Sequence, residues 1–186
     1  MTRDILAAEQ QHLASLLEAI QRCVFFLDAS DEKIAWPLLA DVLIQKKKDW
    51  PLFESLSAIN ERFAKLQDTL GAAMRHALML QGEQAETFLK VLIFYEKIGV
   101  IDSVGTWQLC RTARNLAAHD YETEYSSIAE HFNTLHELEP MLFFASERFL
   151  ERCKSNLGIG PASKDFEPEF LAVLRQTRKT SKDSEL

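Results

Sequence analysis

From Leu52 to Ala77 the apolar side chains fall at Leu52, Leu56, Ile59, Phe63, Leu66, Leu70, Met74 and Ala77, always three or four residues apart. That spacing returns to one face of an α-helix but to alternating faces of a strand, so the run specifies one long amphipathic helix. Pro51 suits its first turn, where a missing N–H costs nothing, and Gly82 ends it. Gly71 in its middle is expected to bend it. Two further long runs share the period. One carries Ile5, Leu6, Leu13, Leu16, Leu17, Ile20, Val24 and Leu27 and ends near the sequence DASDEK. The other starts near Thr123 and passes through Ile128, Phe132, Leu135, Leu142, Phe143 and Phe149 to Leu157. Pro140 falls inside this last run and is expected to kink or split it.

Shorter helical pieces fill the gaps. One is expected from about Glu83 to Ile98, closed by Gly99, and one from a Ser103 cap through Trp107, Cys110 and Ala113 toward His119. The stretch KIAWPLLADVLIQKKKDW, apolar and broken by Pro37, reads as a short helix or a packed connector. Alternating β-branched runs and Asn-Gly or Asp-Gly turns are both missing. The expected fold is therefore all-α, an up-and-down bundle of four main helices with extra helical pieces at its ends. Residues 1–158 form the expected single domain, and 159–186 a C-terminal extension made of a short helix in FEPEFLAVLRQ and a disordered tail.

A chain of 186 residues suffices for one well-buried core. No apolar run approaches the ~20 residues that span a bilayer, and MTRDILAAEQQ lacks the apolar stretch of a signal peptide, so no membrane association and a cytoplasmic location are expected. Cys23, Cys110 and Cys153 are far apart and outside any CxxC pattern, which fits reduced thiols. The net charge of −7 excludes broad nonspecific attraction to nucleic acid, so any nucleic-acid chemistry requires a local cluster of Arg and Lys.

One stretch departs from the scaffold pattern: RNLAAHDYE, Arg114 to Glu122. Arg114 and His119 are five residues apart, about 140° around a straight helix, so they converge only where the helix ends or bends, or where two copies of the chain meet. Asn115 shares a face with His119, and Arg111 shares one with both Arg114 and Asn115. Arg presents a planar fork of donors to phosphate oxygens. His exchanges a proton near neutrality, and Asn orients either group. The set suits attack of an RNA 2′-hydroxyl on its own phosphate, a step that needs no metal and no cofactor because RNA supplies the nucleophile. Gln67 and Asp68 border the apolar stripe of the Leu52 helix, where they either face solvent or point at the same cleft as Arg114. His12 and His76 stand alone in the sequence, and His131 and His136, five apart, lack the spacing of a helical metal pair.

The segment RNLAAHDY resembles the Arg-Asn-x-x-x-His-x-Tyr signature of the HEPN superfamily, and of its HepT-like branch in particular. RFAKLQDTLG and FYEKIGVIDSVGTWQLCRTARNLAAHDYE resemble the phrases that precede the signature, and the likeness covers about Leu52 to Phe149. It implies a dimeric helical bundle acting as a metal-independent ribonuclease toxin, paired with a minimal nucleotidyltransferase antitoxin. By the same resemblance Arg114 and His119 match the catalytic pair, Asn115 the polar residue behind the Arg, and Tyr121 the acceptor of AMP from the antitoxin. Arg111, Asp68 and Gln67 are supporting candidates. Some relatives are known only as binding proteins, so the alternative is a catalytically inactive module that pairs with a nucleotidyltransferase or binds a nucleotide.

Overall fold

The structure is a computed structural model that describes residues 2–83, 86–116 and 124–183. Among these residues it is entirely helical: α1 (Thr2–Asp31), α2 (Ala40–Gln45), α3 (Trp50–Leu80), α4 (Phe88–Lys97), α5 (Val104–Leu116), α6 (Tyr125–Leu157) and α7 (Glu167–Asp183). None of these helices is long and apolar enough to cross a membrane.

The three long helices α1, α3 and α6 build the bundle, and their stripes are its core. Leu13, Leu17, Ile20, Val24 and Leu27 of α1 meet Leu56, Ile59, Phe63, Leu66, Leu70 and Met74 of α3, all inaccessible or nearly so. Removing each such side chain from water contributes about 1.5–3 kcal/mol, the main term holding the helices together. The pair is antiparallel. His12 near the start of α1 packs on His76 near the end of α3, while Phe26 and Ser30 at the other end of α1 accept hydrogen bonds from Arg62. Ile5 and Leu6 continue the α1 stripe in sequence but stand exposed. There the helix has passed the end of the surface it packs against.

Helix ends follow local chemistry. Asp49 caps α3 by accepting from the Leu52 N–H at 3.1 Å, with Pro51 in the first turn. Ser103 caps α5 by accepting from the Thr106 N–H at 2.9 Å. α4 starts later than the periodicity predicts, because Thr87 caps it through the Lys90 N–H. Gly158 ends α6 at φ 67°, in the left-handed region that favours glycine.

Two expectations resolve differently in detail. α6 is continuous across Pro140 rather than split; the ring removes one backbone bond, and the packed flanks Leu135, Leu142 and Phe143 keep the helix in line. Gly71 lies within the uninterrupted α3, where a Cβ would sit 3.0 Å from the Phe88 ring and 3.4 Å from Trp107, so the glycine admits two aromatic rings close to the helix. The C-terminal piece is a 17-residue helix running to Asp183, where a short helix and a disordered tail are expected from composition. Its anchors Phe170, Val173 and Leu174 are buried, and the Ala162 N–H binds the Ala14 carbonyl, so the extension packs onto α1. The ambiguous connector contains α2 and is fixed to α6 by Asn133, whose amide both accepts from and donates to the backbone of Leu38.

Candidate functional site

A groove of about 520 Å³ opens where α1, α3 and α5 meet, with Phe88 of α4 at its edge. Its apolar lining includes Phe88 and Trp107, both close to α3 at Gly71. The Trp107 backbone carbonyl accepts from Gln67 Nε2 at 2.9 Å, tying α5 to α3 through a buried bond. Gln67 is only 2% exposed and its Oε1 has no hydrogen-bond partner, which leaves a desolvated acceptor on the groove wall.

Three guanidinium groups line this groove: Arg75 from α3, and Arg111 and Arg114 from α5. Arg114 is the most firmly held. Its Nη1 donates to Asp68 Oδ1 at 2.6 Å and to the Ala64 carbonyl at 3.1 Å, and its side chain is 17% exposed against 65% for Asp68. A short charge-assisted bond to a partly buried Arg fixes the plane of the fork. Arg75 lies 6.0 Å from the centre of the Phe88 ring. Neither Arg75 nor Arg111 has a carboxylate partner among the described residues, so the groove carries a local positive excess. That is the cluster a chain of net charge −7 needs if it is to hold a polyanion.

The sequence expectations map onto this groove in part. Arg111, Arg114, Gln67 and Asp68 all line it, Asp68 as the direct partner of Arg114. Asn115 falls on the last turn of α5, while His119 and Tyr121 lie outside the described residues. Two residues that stand alone in sequence also line it: His12 and His76 make an edge-to-face pair with ring centres 4.8 Å apart. His76 Nε2 sits 2.9 Å from the Glu9 carbonyl oxygen and 3.4 Å from its carboxylate. The spacing Asp68, Ala72, Arg75, Met79 puts a charged and small-residue face on α3 and was available as a signal. The meeting of His12 with His76 depends on the register of α1 against α3, which neither helix alone specifies.

Elsewhere the charged groups behave differently. Around the end of α1, burial and the neighbouring Glu32 and Asp31 push Asp28 up to about 6, and burial beside Asp31 and Asp28 raises Glu139 well above the usual carboxylate range. Burial pushes the thiols of Cys110 and Cys153 up to about 12, which makes them inert packing groups. His136 is tied into the bundle: its Nδ1 lies 2.8 Å from Asp31 Oδ1, and its ring stacks on Trp36.

No family model, curated protein or solved structure matches the chain.

Proposed function

We propose that the chain is a metal-independent RNA endonuclease, the toxin partner of a minimal nucleotidyltransferase, acting as a cytoplasmic homodimer with Arg114 and His119 in its cleft. The observation that carries this reading is Arg114, held in a groove with Arg111 and Arg75 and preceding His119 by five residues. The forks bind the phosphate and balance the charge that develops on its oxygens. His119 takes the proton of the 2′-hydroxyl as that oxygen attacks phosphorus. The P–O5′ bond breaks, and the leaving oxygen takes a proton from the second copy's His119. The products are a 2′,3′-cyclic phosphate and a free 5′-hydroxyl. Gln67 Oε1, an acceptor without a partner on the groove wall, suits a hydroxyl or amino donor of the nucleotide. A dimer through α5 doubles the cationic set, and Leu89, Ile93 and Leu109 leave exposed apolar side chains on α4 and α5 for such a contact.

Tyr121, two residues past His119, is the proposed AMP acceptor. One AMP there adds a phosphate charge and a nucleoside beside the guanidinium groups, which blocks RNA by charge and by bulk. The test is cleavage of RNA by the purified full chain in metal-free buffer, beside His119→Ala. Cleavage lost in the variant supports the reading; cleavage retained, or dependent on added divalent metal, ends it. Incubation with the nucleotidyltransferase and ATP should add AMP mass to the wild type and none to Tyr121→Phe.

A second reading is favoured by one specific contact. Arg114 already has a carboxylate partner in Asp68, as befits an inactive module that binds a nucleotidyltransferase or a nucleotide and uses the ion pair to join α5 to α3.

A further inference from the structure

At the C-terminal end of α1 a second groove, of about 430 Å³, opens between α1, α6 and α7. Its chemistry is the reverse of the first. Asp28, Asp31 and Glu32 line it from α1, and Glu137 and Glu139 from α6, with no Lys or Arg in the lining. These α1 acids also face the negative end of the helix macrodipole, and the last turn of α1 holds no basic residue. Such an arrangement repels itself, and either protons on the carboxyls or a bound cation relieves it.

Three of the groups converge. One carboxylate oxygen of Asp31, one of Glu139 and a ring nitrogen of His136 all lie within 4.8 Å of one another. A tetrahedral zinc ion with bonds of about 2.0–2.2 Å holds its ligand atoms about 3.3–3.6 Å apart, so side-chain rotations that draw in the wider pairs and part His136 from Asp31 would complete the set. Glu139 supplies the second observation. It is 3% exposed, and its Oε1 is buried without any hydrogen-bond partner. Native proteins rarely desolvate an acceptor in this way without a use for it. His136 is also prepared as a ligand: stacking on Trp36 at a ring separation of 4.4 Å fixes its plane, and its Nδ1 faces Asp31. Trp36 donates its Nε1–H to the Asp31 carbonyl, so one side chain positions both ligands.

We propose that Asp31, His136 and Glu139 form a site for one divalent transition-metal ion of the zinc class, joining the end of α1 to α6 away from the Arg-lined groove. In that site His136 binds through Nδ1 and carries its proton on Nε2, while the two carboxylates bind through one oxygen each. The ion takes the place of the proton between His136 and Asp31 and satisfies the orphaned oxygen of Glu139. Imidazole with carboxylate ligands suits zinc, cobalt or manganese, whereas magnesium prefers an all-oxygen shell. The role is a clamp: the ion ties two helices of the bundle and offsets the acids against the end of α1.

The test uses the full chain, stripped with chelator and titrated separately with zinc, cobalt and magnesium. One zinc per chain is expected by equilibrium dialysis, with Tm raised by about 5–10 °C when free zinc is a hundredfold above Kd. Cobalt should give visible d–d bands without a thiolate charge-transfer band, which excludes the cysteines. His136→Gln alters a side chain that is 38% exposed, so it should fold normally. It and Glu139→Gln should each weaken zinc more than about tenfold, while His76→Gln leaves binding unchanged. Absence of saturable binding, unchanged affinity in both site variants, loss of binding in His76→Gln, or a thiolate band would each overturn the assignment.

Discussion

The two grooves sit toward opposite ends of α1 and use charge in opposite ways. At the His12–Leu16 end the walls carry Arg75, Arg111 and Arg114; at the Asp28–Glu32 end they carry carboxylates alone among charged acids and bases, apart from His136. Leu16 and Asp28 are about 18 Å apart along a helix rising 1.5 Å per residue, roughly two Debye lengths at physiological salt. At that distance the acids scarcely weaken the field of the Arg cluster. A net charge of −7 therefore describes neither groove. What matters for polyanion binding is segregation: unlike charges placed on separate faces of one bundle keep separate ligands. The degree of pairing differs too. Arg114 is satisfied twice, by Asp68 and by the Ala64 carbonyl, whereas Glu139 keeps an oxygen with no partner.

If the grooves are independent, the largest effect should be confined to one of them. His119→Ala is expected to lower RNA cleavage by about 10²–10⁴-fold, the usual worth of a positioned acid or base. Arg114→Lys should also fail, since an ammonium does not reproduce a planar fork that holds Asp68 and phosphate together. Glu139→Gln should leave cleavage within twofold of wild type. Initial rates on one RNA at one salt concentration decide the matter. An equal loss in Glu139→Gln would mean that the two ends of α1 are coupled, and the comparison would collapse.

A smaller effect is expected on stability, and with the opposite sign to most core substitutions. Glu139 is 3% exposed, and its groove is lined by no lysine or arginine. Glu139→Met keeps the volume and removes the desolvated carboxyl, which should stabilise the chelator-treated chain by about 1–3 kcal/mol. Denaturant unfolding in chelator measures it. With zinc present the order should reverse, because the variant gives up a ligand. A variant less stable than wild type without metal would show that the Glu139 carboxyl already has a favourable partner.

Much of this was legible in the sequence, and the reasons are local. The stripe from Leu52 to Ala77 became α3 with its predicted face buried, because helix periodicity and core packing make the same demand. Pro51 and Ser103 marked helix starts, and the cap that Asp49 supplies to the first of these emerged only with the fold. The tail was the opposite case: Thr177 to Asp183 is polar, and its helix continues from Phe170, Val173 and Leu174, which dock upstream. Composition read over the polar segment alone misses that support. In the groove, Arg111 and Arg114 stand three apart on α5 and share a side in the sequence alone, whereas the adjacent Gln67 and Asp68 diverge, one buried and the other exposed. The pairing of His12 with His76, and the convergence of Asp31, His136 and Glu139, link residues 64 and more than 100 positions apart. Such contacts arise from how the helices pack, which periodicity within one helix leaves open.

The finest distinction rests on Asp68. If Arg114 serves phosphate, Asp68 competes with the ligand for the same fork; if Arg114 serves the fold, Asp68 is a tether. Asp68→Asn separates the two, since it keeps the size and an acceptor oxygen but removes the charge. Asp68 is 65% exposed, so losing the ion pair should cost only ~0–1 kcal/mol of stability. Removing a negative charge at 2.6 Å from Nη1, however, frees the guanidinium to face an incoming anion. RNA held at low salt by a non-cleaving His119→Ala chain should then bind up to about tenfold tighter, with the gain shrinking as salt screens the groove. A tether predicts the reverse pattern: unchanged RNA affinity and a drop in Tm as α5 loosens from α3. Measuring RNA affinity and melting on the same double variant assigns the bond between Asp68 and Arg114 to one role or the other.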